Sequence, residues 1–257
     1  MENLYQHFLA DEKQKLKIFS TWIDQVGNNY SPYLTYFLDP REQEILTILV
    51  NGTDLQVQFE GGIAEAERKR ALIYPDYFVP ELSDFELSFL EIKYAEKFNH
   101  LEHRQILGTL MSQGIKREQI GDILFEHPKW QLICAKHLQE YLQINLKKIS
   151  KVPVRLEEIS KEHLLSIKTM NVTKRLTITS LRLDNIIASV YNISRQTTKQ
   201  LILNEKCKVN FAHVQKADMT INEKDTISVR GYGRFKIDKL LGKTKKGRYI
   251  IQITKFK

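Results

Sequence analysis

Apolar residues three and four apart begin the chain. Leu16, Phe19, Trp22, Ile23 and Val26 fall on one face of a 3.6-residue period, which predicts an amphipathic helix over about 11–27. The aromatic, β-branched run 33–38, bounded by Pro32 and by Asp39-Pro40, predicts a buried strand. Pro40 suits the first turn of a second helix over 41–51, which Gly52 ends. Leu55, Val57 and Phe59 alternate with polar residues, a strand pattern, before Gly61-Gly62. Residues 65–70, Glu-Ala-Glu-Arg-Lys-Arg, predict a charged helix. The basic triad Arg68-Lys69-Arg70 fits a phosphate contact or, more commonly, a solvated face.

Beyond Pro75 and Pro80 the pattern changes period repeatedly. A strand over 85–95 precedes a helix near 102–114, with Ile106, Leu107, Leu110 and Met111 on one face and Gly114 at its end. Strands near 121–126 and 130–134, a helix over 135–145 and a strand over 147–156 follow. The order β-α-β-β-α-β is the split βαβ arrangement of ferredoxin-like and RRM-like folds. The inner strand carries Trp130-Gln131-Leu132-Ile133 and lacks the aromatic signature with which an RRM stacks bases.

A connector over 158–180, ending in a strand near 172–179, leads to the last module. There Leu183, Ile186, Ile187 and Val190 form one apolar stripe, with Asp184 in the first turn. Ser194 is placed to cap a second helix that shows Arg195 and Lys199 on one face and turns Thr198, Leu201 and Ile202 inward. Strands are expected at 206–210, 213–216 and 225–237, with a bulge or close backbone approach at Gly231 and Gly233. A basic loop, 243–248, precedes a closing strand. The reading is therefore α+β, with an N-terminal α/β domain (1–80), an RRM-like middle domain (81–157), the connector, and a helix–helix–hairpin domain (181–257).

Charge sharpens this division. Residues 1–150 hold 16 Lys and Arg against 22 Asp and Glu, a balance of −6, whereas residues 151–257 hold 23 against 9, a balance of +14. A basic module on an acidic scaffold points to an anionic partner. No apolar run approaches the roughly 18 residues that span a bilayer. The N-terminus has no signal-peptide pattern and the C-terminus no prenylation box, so a cytoplasmic protein is expected. Cys134 and Cys207 form no spaced ligand pair and read as reduced structural thiols.

The last module resembles the S-four RNA-binding domain, the fold named after ribosomal small-subunit protein four. The matching pieces are RLD at 182–184, SR at 194–195, LI at 201–202, VN at 209–210, Asp225 and VRGYGR at 229–234. Three positions where that family has Gly hold Glu205, Phe211 and Lys224, so an Asn-Gly hairpin turn after Asn210 is not expected. HRQILGTLMSQGIKREQIGDILFE at 103–126 resembles the middle segment of the YlmH-type bacterial proteins, which join an N-terminal domain, an RRM-like domain and an S-four domain. That resemblance implies a cytosolic factor binding ribosomal RNA, with transfer RNA a further candidate, on large ribosomal subunits blocked by peptidyl-tRNA. It also implies an association with cell division, through protein contacts of the N-terminal half.

The residues assigned to RNA are Arg182, Ser194, Arg195, Lys199, Lys206, Lys208, Lys216, Arg230, Arg234, Lys236, Lys243, Lys245 and Lys246. Arg195 and Lys199 are expected to clamp phosphates at the start of the second helix, and the others to extend the track. The bland alternatives are pairing of Arg182 with Asp184 or Asp225, and solvation of Lys208. No catalytic residue, cofactor or metal is expected. His100 and His103 lack further ligands, and Gly61-Gly62 is a weak candidate for a methyltransferase cofactor turn. A pseudouridine synthase would carry its own catalytic domain, whereas RLD here lies at a helix start. An RNA-modifying enzyme and a division-linked adaptor remain the alternatives.

Overall fold

The computed structural model describes residues 13–166 and 172–256. The predicted start of the first helix at 11–12, the N-terminal leader reading and Lys257 lie outside the described residues, as do 167–171 of the expected connector. The chain divides into two units, Met1–Ile167 and Lys168–Lys257.

In the first unit, α1 (Lys13–Asn29) and α2 (Pro40–Val50) cover a sheet of β1 (Tyr33–Leu38), β2 (Gln56–Glu60) and β3 (Lys69–Tyr74) in the order β1-β3-β2, all antiparallel. The stripe from Leu16 to Val26 is buried against Leu38, Ile45, Leu46, Ala71 and Ile73. Asp39 caps α2 by accepting from the Glu42 amide, and Glu42 returns the bond to the Asp39 amide.

The expected charged helix at 65–70 does not form. Residues 69–74 are instead the central strand, because Ala71, Leu72 and Ile73 are a buried run whose backbone is bonded on both sides. Its Arg70 is only 7% exposed, and its guanidinium donates to the carbonyls of Thr35 (2.8 Å), Phe85 (3.2 Å) and Glu86 (3.1 Å). Arg68 donates to Phe37 O at 2.6 Å, and Asp122 accepts from the amides of Glu67 and Arg68. The basic triad thus closes internal contacts and is not a continuous basic face.

The middle segment runs β4 (Leu87–Lys93), α3 (His103–Ser112), β5 (Ile120–Glu126), β6 (Lys129–Ala135), α4 (Gln139–Asn145), the short pair β7 (Lys148–Ile149) and β8 (Val152–Pro153), and β9 (Arg155–Glu158). Its sheet order is β5-β6-β4-β9, all antiparallel, which is the ferredoxin-like and RRM-like arrangement. The single strand expected over 147–156 is broken. A tight turn with Ser150 at φ 54° joins β7 to β8, and Pro153 has no amide to continue a ladder. One sheet face packs on α3 and α4 through Leu90, Ile92, Ile106, Leu110, Leu132 and Leu142.

The opposite face of this sheet is also closed. Phe89, Leu124, Ile133 and Ala135 pack on Phe37 of β1 and on Ile63, Ile159, Leu164 and Leu165. Gln131, 1% exposed, donates to His163 O and accepts from the Leu165 amide. Two glycines permit this approach. A Cβ at Gly62 would lie 2.8 Å from the Phe89 ring, and one at Gly121 would lie 2.8 Å from the Phe37 ring.

The second unit is a two-layer fold. β10 (Val172–Ile178) precedes α5 (Leu183–Tyr191) and α6 (Arg195–Leu203). Then follow β11 (Cys207–Val209), β12 (Ala212–His213), β13 (Thr226–Val229), β14 (Gly233–Lys243) and β15 (Tyr249–Phe256). The six strands are ordered β10-β15-β14-β13-β11-β12, all antiparallel. Leu183, Ile186, Ile187 and Ile202 of the helices pack on Ile178, Cys207, Val209, Ile227, Val229, Phe235, Ile237, Ile251 and Ile253.

The strand expected over 225–237 is two strands. Gly231 at φ 88° and Gly233 at φ 106° let the chain reverse between β13 and β14, so they make a hairpin rather than a bulge. Of the strand expected at 213–216, only its first residue joins β12. The hairpin after Val209 does adopt the geometry an Asn-Gly turn would supply. Asn210 (φ 48°) and Phe211 (φ 68°) both have positive φ, and Glu205 (φ 55°) and Lys224 (φ 71°) likewise hold the glycine-like conformation. The turn is pinned from the side. Asn210 donates to Asp225 at 2.8 Å and accepts from the Thr226 amide at 2.9 Å.

Candidate nucleic-acid interface

Two sets of cations emerge from the second unit, and one buried carboxylate organises the first. Asp184, in the first turn of α5, is 0% exposed. Its Oδ1 pairs with Arg182 Nε at 3.1 Å and its Oδ2 with Arg195 at 2.9 Å. Burial alone would push its carboxyl up, but hydrogen bonds from Arg182 and Arg195 and their charges hold it below the usual carboxylate range. The same bond raises the Arg182 guanidinium above its ordinary value. Both arginine side chains stay partly exposed, at 40% and 53%. Asp184 thus joins the starts of α5 and α6 and fixes where two guanidinium groups stand.

Ser194 caps α6, its Oγ accepting from the Thr197 amide at 3.0 Å. Arg195 and Lys199 are exposed, one turn apart, while Thr198 and Ile202 are buried beneath them. The loop carrying Lys216 runs past the start of α5, where the amides of Asp184 and Leu183 donate to the carbonyls of Ala217 and Met219. Arg182, Arg195, Lys199 and Lys216 therefore belong to the helix layer and its edge. The α5 amides are already used, so the amino end of α6 is the better anion cradle.

The second set lies across the sheet. Burial alternates along β11, β13 and β14, with the apolar positions facing the helices. Cross-strand register puts Lys208, Ser228, Arg234 and Phe256 in one row. Thr226, Lys236, Thr254 and Thr173 make the next. Lys239, Gln252 and Arg175 make a third. Lys206 and Arg230 extend the first row's end, joined by the Arg230 amide donating to Lys206 O at 2.8 Å. Lys243 sits over the Tyr249 ring at 4.5 Å beside the exposed loop with Lys245 and Lys246.

Sequence reasoning counted Arg175 in the module's charge without assigning it to RNA, read Phe211 only as a departure from a glycine position, and passed over Lys239 and Phe256. The alternation Thr173, Arg175, Thr177 was available as a signal for Arg175. Lys239 returns to the outward face only because the strand bulges between Ile237 and Lys239, which no periodicity shows. The two thiols are buried, and burial pushes Cys134 up to about 12 and Cys207 up to about 11. Among the described residues there is no group of three or more metal-ligating side chains, and no helix is long and apolar enough to cross a membrane.

Comparison with known proteins adds a context. The family model "YlmH, N-terminal" matches residues 12–78, and the model described as "Putative RNA-binding domain in YlmH" matches 80–163. A protein of Bacillus subtilis (strain 168) named "Ribosome-associated protein quality control protein P2" is 40% identical over 250 residues, 97% of each chain. A solved structure, "Cell division protein ylmH from Streptococcus pneumoniae", is 39% identical with a TM-score of 0.56. It covers 63% of this chain and 99% of that one.

Proposed function

The chain belongs to the YlmH family, and from that premise we propose that it is a cytoplasmic ribosome-associated quality-control factor that grips ribosomal RNA through its second unit. The observation that carries this reading is the Asp184-centred pairing of Arg182 and Arg195 beside the capped start of α6. A guanidinium held in place loses less freedom when it meets a phosphate and offers a planar pair of donors. Lys199 and Lys216 add charge to this edge, and Lys206, Lys208, Arg230, Arg234, Lys236, Lys243, Lys245 and Lys246 carry it over the sheet and loop.

The target is the large ribosomal subunit obstructed by peptidyl-tRNA, with direct transfer-RNA contact as part of the same reading. In this reading the protein positions RNA rather than modifying it, which is supported by the burial of both thiols and by the commitment of Asp184 to two arginines. The closed second face of the RRM-like sheet leaves no surface there for bases to stack on.

Sedimentation of tagged full-length protein through a sucrose gradient tests this. Wild type should travel with free large subunits, and Arg195→Ala/Lys199→Ala should remain at the top. Wild type staying at the top at low salt would remove the ribosome from the account. A second reading, a division-linked adaptor working through residues 13–166, is favoured by the name of the pneumococcal relative and by exposed Tyr77, Val79 and Phe98. It predicts a protein partner whose capture survives the Arg195→Ala/Lys199→Ala change.

A further inference from the structure

We infer that the outward face of the six-stranded sheet is a second RNA site, separate from the α6 edge, and that it takes an unpaired strand by stacking. The inference rests on the reading that this unit binds RNA. Its physical basis is that the face is built for planes as well as for charge. Arg234 stands between two rings, its guanidinium carbon 4.8 Å from the Phe256 centroid and 5.8 Å from that of Phe211. The rings hold a flat cation flat, so that a base meets three planar groups at one end of the sheet.

Phe211 reaches this place at a cost. Its φ of 68° is one that a glycine adopts freely and a bulky side chain does not. The ring is not spent on the core, since the buried cluster of this unit is complete without it and its ring contact is with Arg234. From this aromatic end the rows proceed as Lys208 and Arg234, then Lys236 with Thr226, Thr254 and Thr173, then Lys239 and Arg175 with Gln252. Successive rows lie about 6.8 Å apart along the strands, a step suited to the phosphates of an extended strand. One acid intrudes: Asp238, at the bulge, accepts from Thr254 Oγ1 at 2.8 Å. Five cations against one occupied carboxylate leave the face strongly basic.

A duplex would use the cations and leave the rings idle, because its bases are stacked on each other. An unpaired strand uses both, which is how sequence-tolerant single-strand sites are made. The α6 edge, by contrast, offers cations and helix amides, which suit phosphates of either kind of RNA.

The test is fluorescence anisotropy of the full-length protein with two labelled probes, a short oligouridine and a blunt RNA duplex. Phe211→Gly relieves backbone strain while removing a ring, and Phe256→Leu removes the other without changing charge. Each should weaken oligouridine binding about fivefold or more, leave the salt dependence of that binding unchanged, and leave duplex binding unchanged. Matching thermal unfolding midpoints, or a rise in Phe211→Gly, keeps loss of fold apart from loss of stacking. Unchanged oligouridine affinity in both ring variants would overturn the inference. So would loss of oligouridine binding in Arg195→Ala/Lys199→Ala alone, which would mean one site. Wild type binding neither probe would overturn the RNA reading itself.

Discussion

Two of the antiparallel sheets in this chain, the RRM-like one and that of the last unit, each carry a pair of helices on one face and differ in what meets the other. In the RRM-like sheet the second face is sealed by Phe37, Ile63, Leu164 and Leu165, with Gln131 bonded to the segment that covers it. In the last unit's sheet the second face carries Lys208, Arg234, Lys236, Lys239 and Arg175 among threonines. The first topology is the one associated with RNA, yet it is the second sheet whose face carries the row of cations. Strand order sets which residues share a face, and only the covering of that face decides whether a ligand can reach them.

The comparison can be broken most severely at the sealed face. Gly62→Ala places a Cβ 2.8 Å from the Phe89 ring at a residue with φ +93°. Strain and overpacking together should cost about 3 kcal/mol, read as a lower urea midpoint for the first unit. RNA affinity at temperatures where the variant is folded should not change.

Asp184→Asn should cost about 1–2 kcal/mol in the second unit, a value kept small because both arginine partners are partly exposed. The sign with pH follows from the depressed carboxyl. Pairing contributes fully above its ordinary value of 3.8 and is lost as pH falls further, through the lower folded-state value. An acid titration followed by near-UV circular dichroism should therefore show a loss in wild type that the variant lacks.

Phe211→Gly should move the other way, stabilising the second unit by about 1 kcal/mol as the positive φ becomes free of cost. A thermal scan that shows destabilisation instead would mean that the ring's packing outweighs its strain. The smallest effect is a labelling pattern. Cys134 and Cys207 are buried in different units, with thiols pushed up to about 12 and about 11, so a thiol reagent reports the opening of each sheet. Gly62→Ala should speed Cys134 labelling and leave Cys207 labelling as in wild type.

Much of the fold was legible because its helices bury clean stripes, from Leu16 to Val26 and from Leu183 to Ile187. The β-α-β-β-α-β order was legible for the same reason. Residues 69–74 were not, since Glu65 to Arg70 has the composition of a helix surface and Arg70 is buried only by virtue of carbonyls from three distant residues. Nor could periodicity foresee the sealed face, which depends on Phe37, Gly62 and Leu164 meeting across long separations. The helix-edge cations Arg182 and Arg195 were readable as candidates, and so was the pairing of Arg182 with Asp184, but that Arg195 shares this buried partner needed the geometry of two helix starts. Phe211 was read as a departure from a glycine position, and its place beside Arg234 followed only from the hairpin.

The measurement that bears most directly on the central claim is the salt dependence of large-subunit binding by the full-length protein. Two variants that lose equal charge are compared, Arg195→Ala/Lys199→Ala in the second unit and, in the first, Lys129→Ala/Lys136→Ala, at exposed positions at the start of β6 and just after its end. The account predicts a log–log slope shallower by up to about 0.7–0.9 per lost phosphate contact for the first variant, and a slope superimposable on wild type for the second. Equal flattening by both, or flattening only by the Lys129 and Lys136 pair, would contradict it.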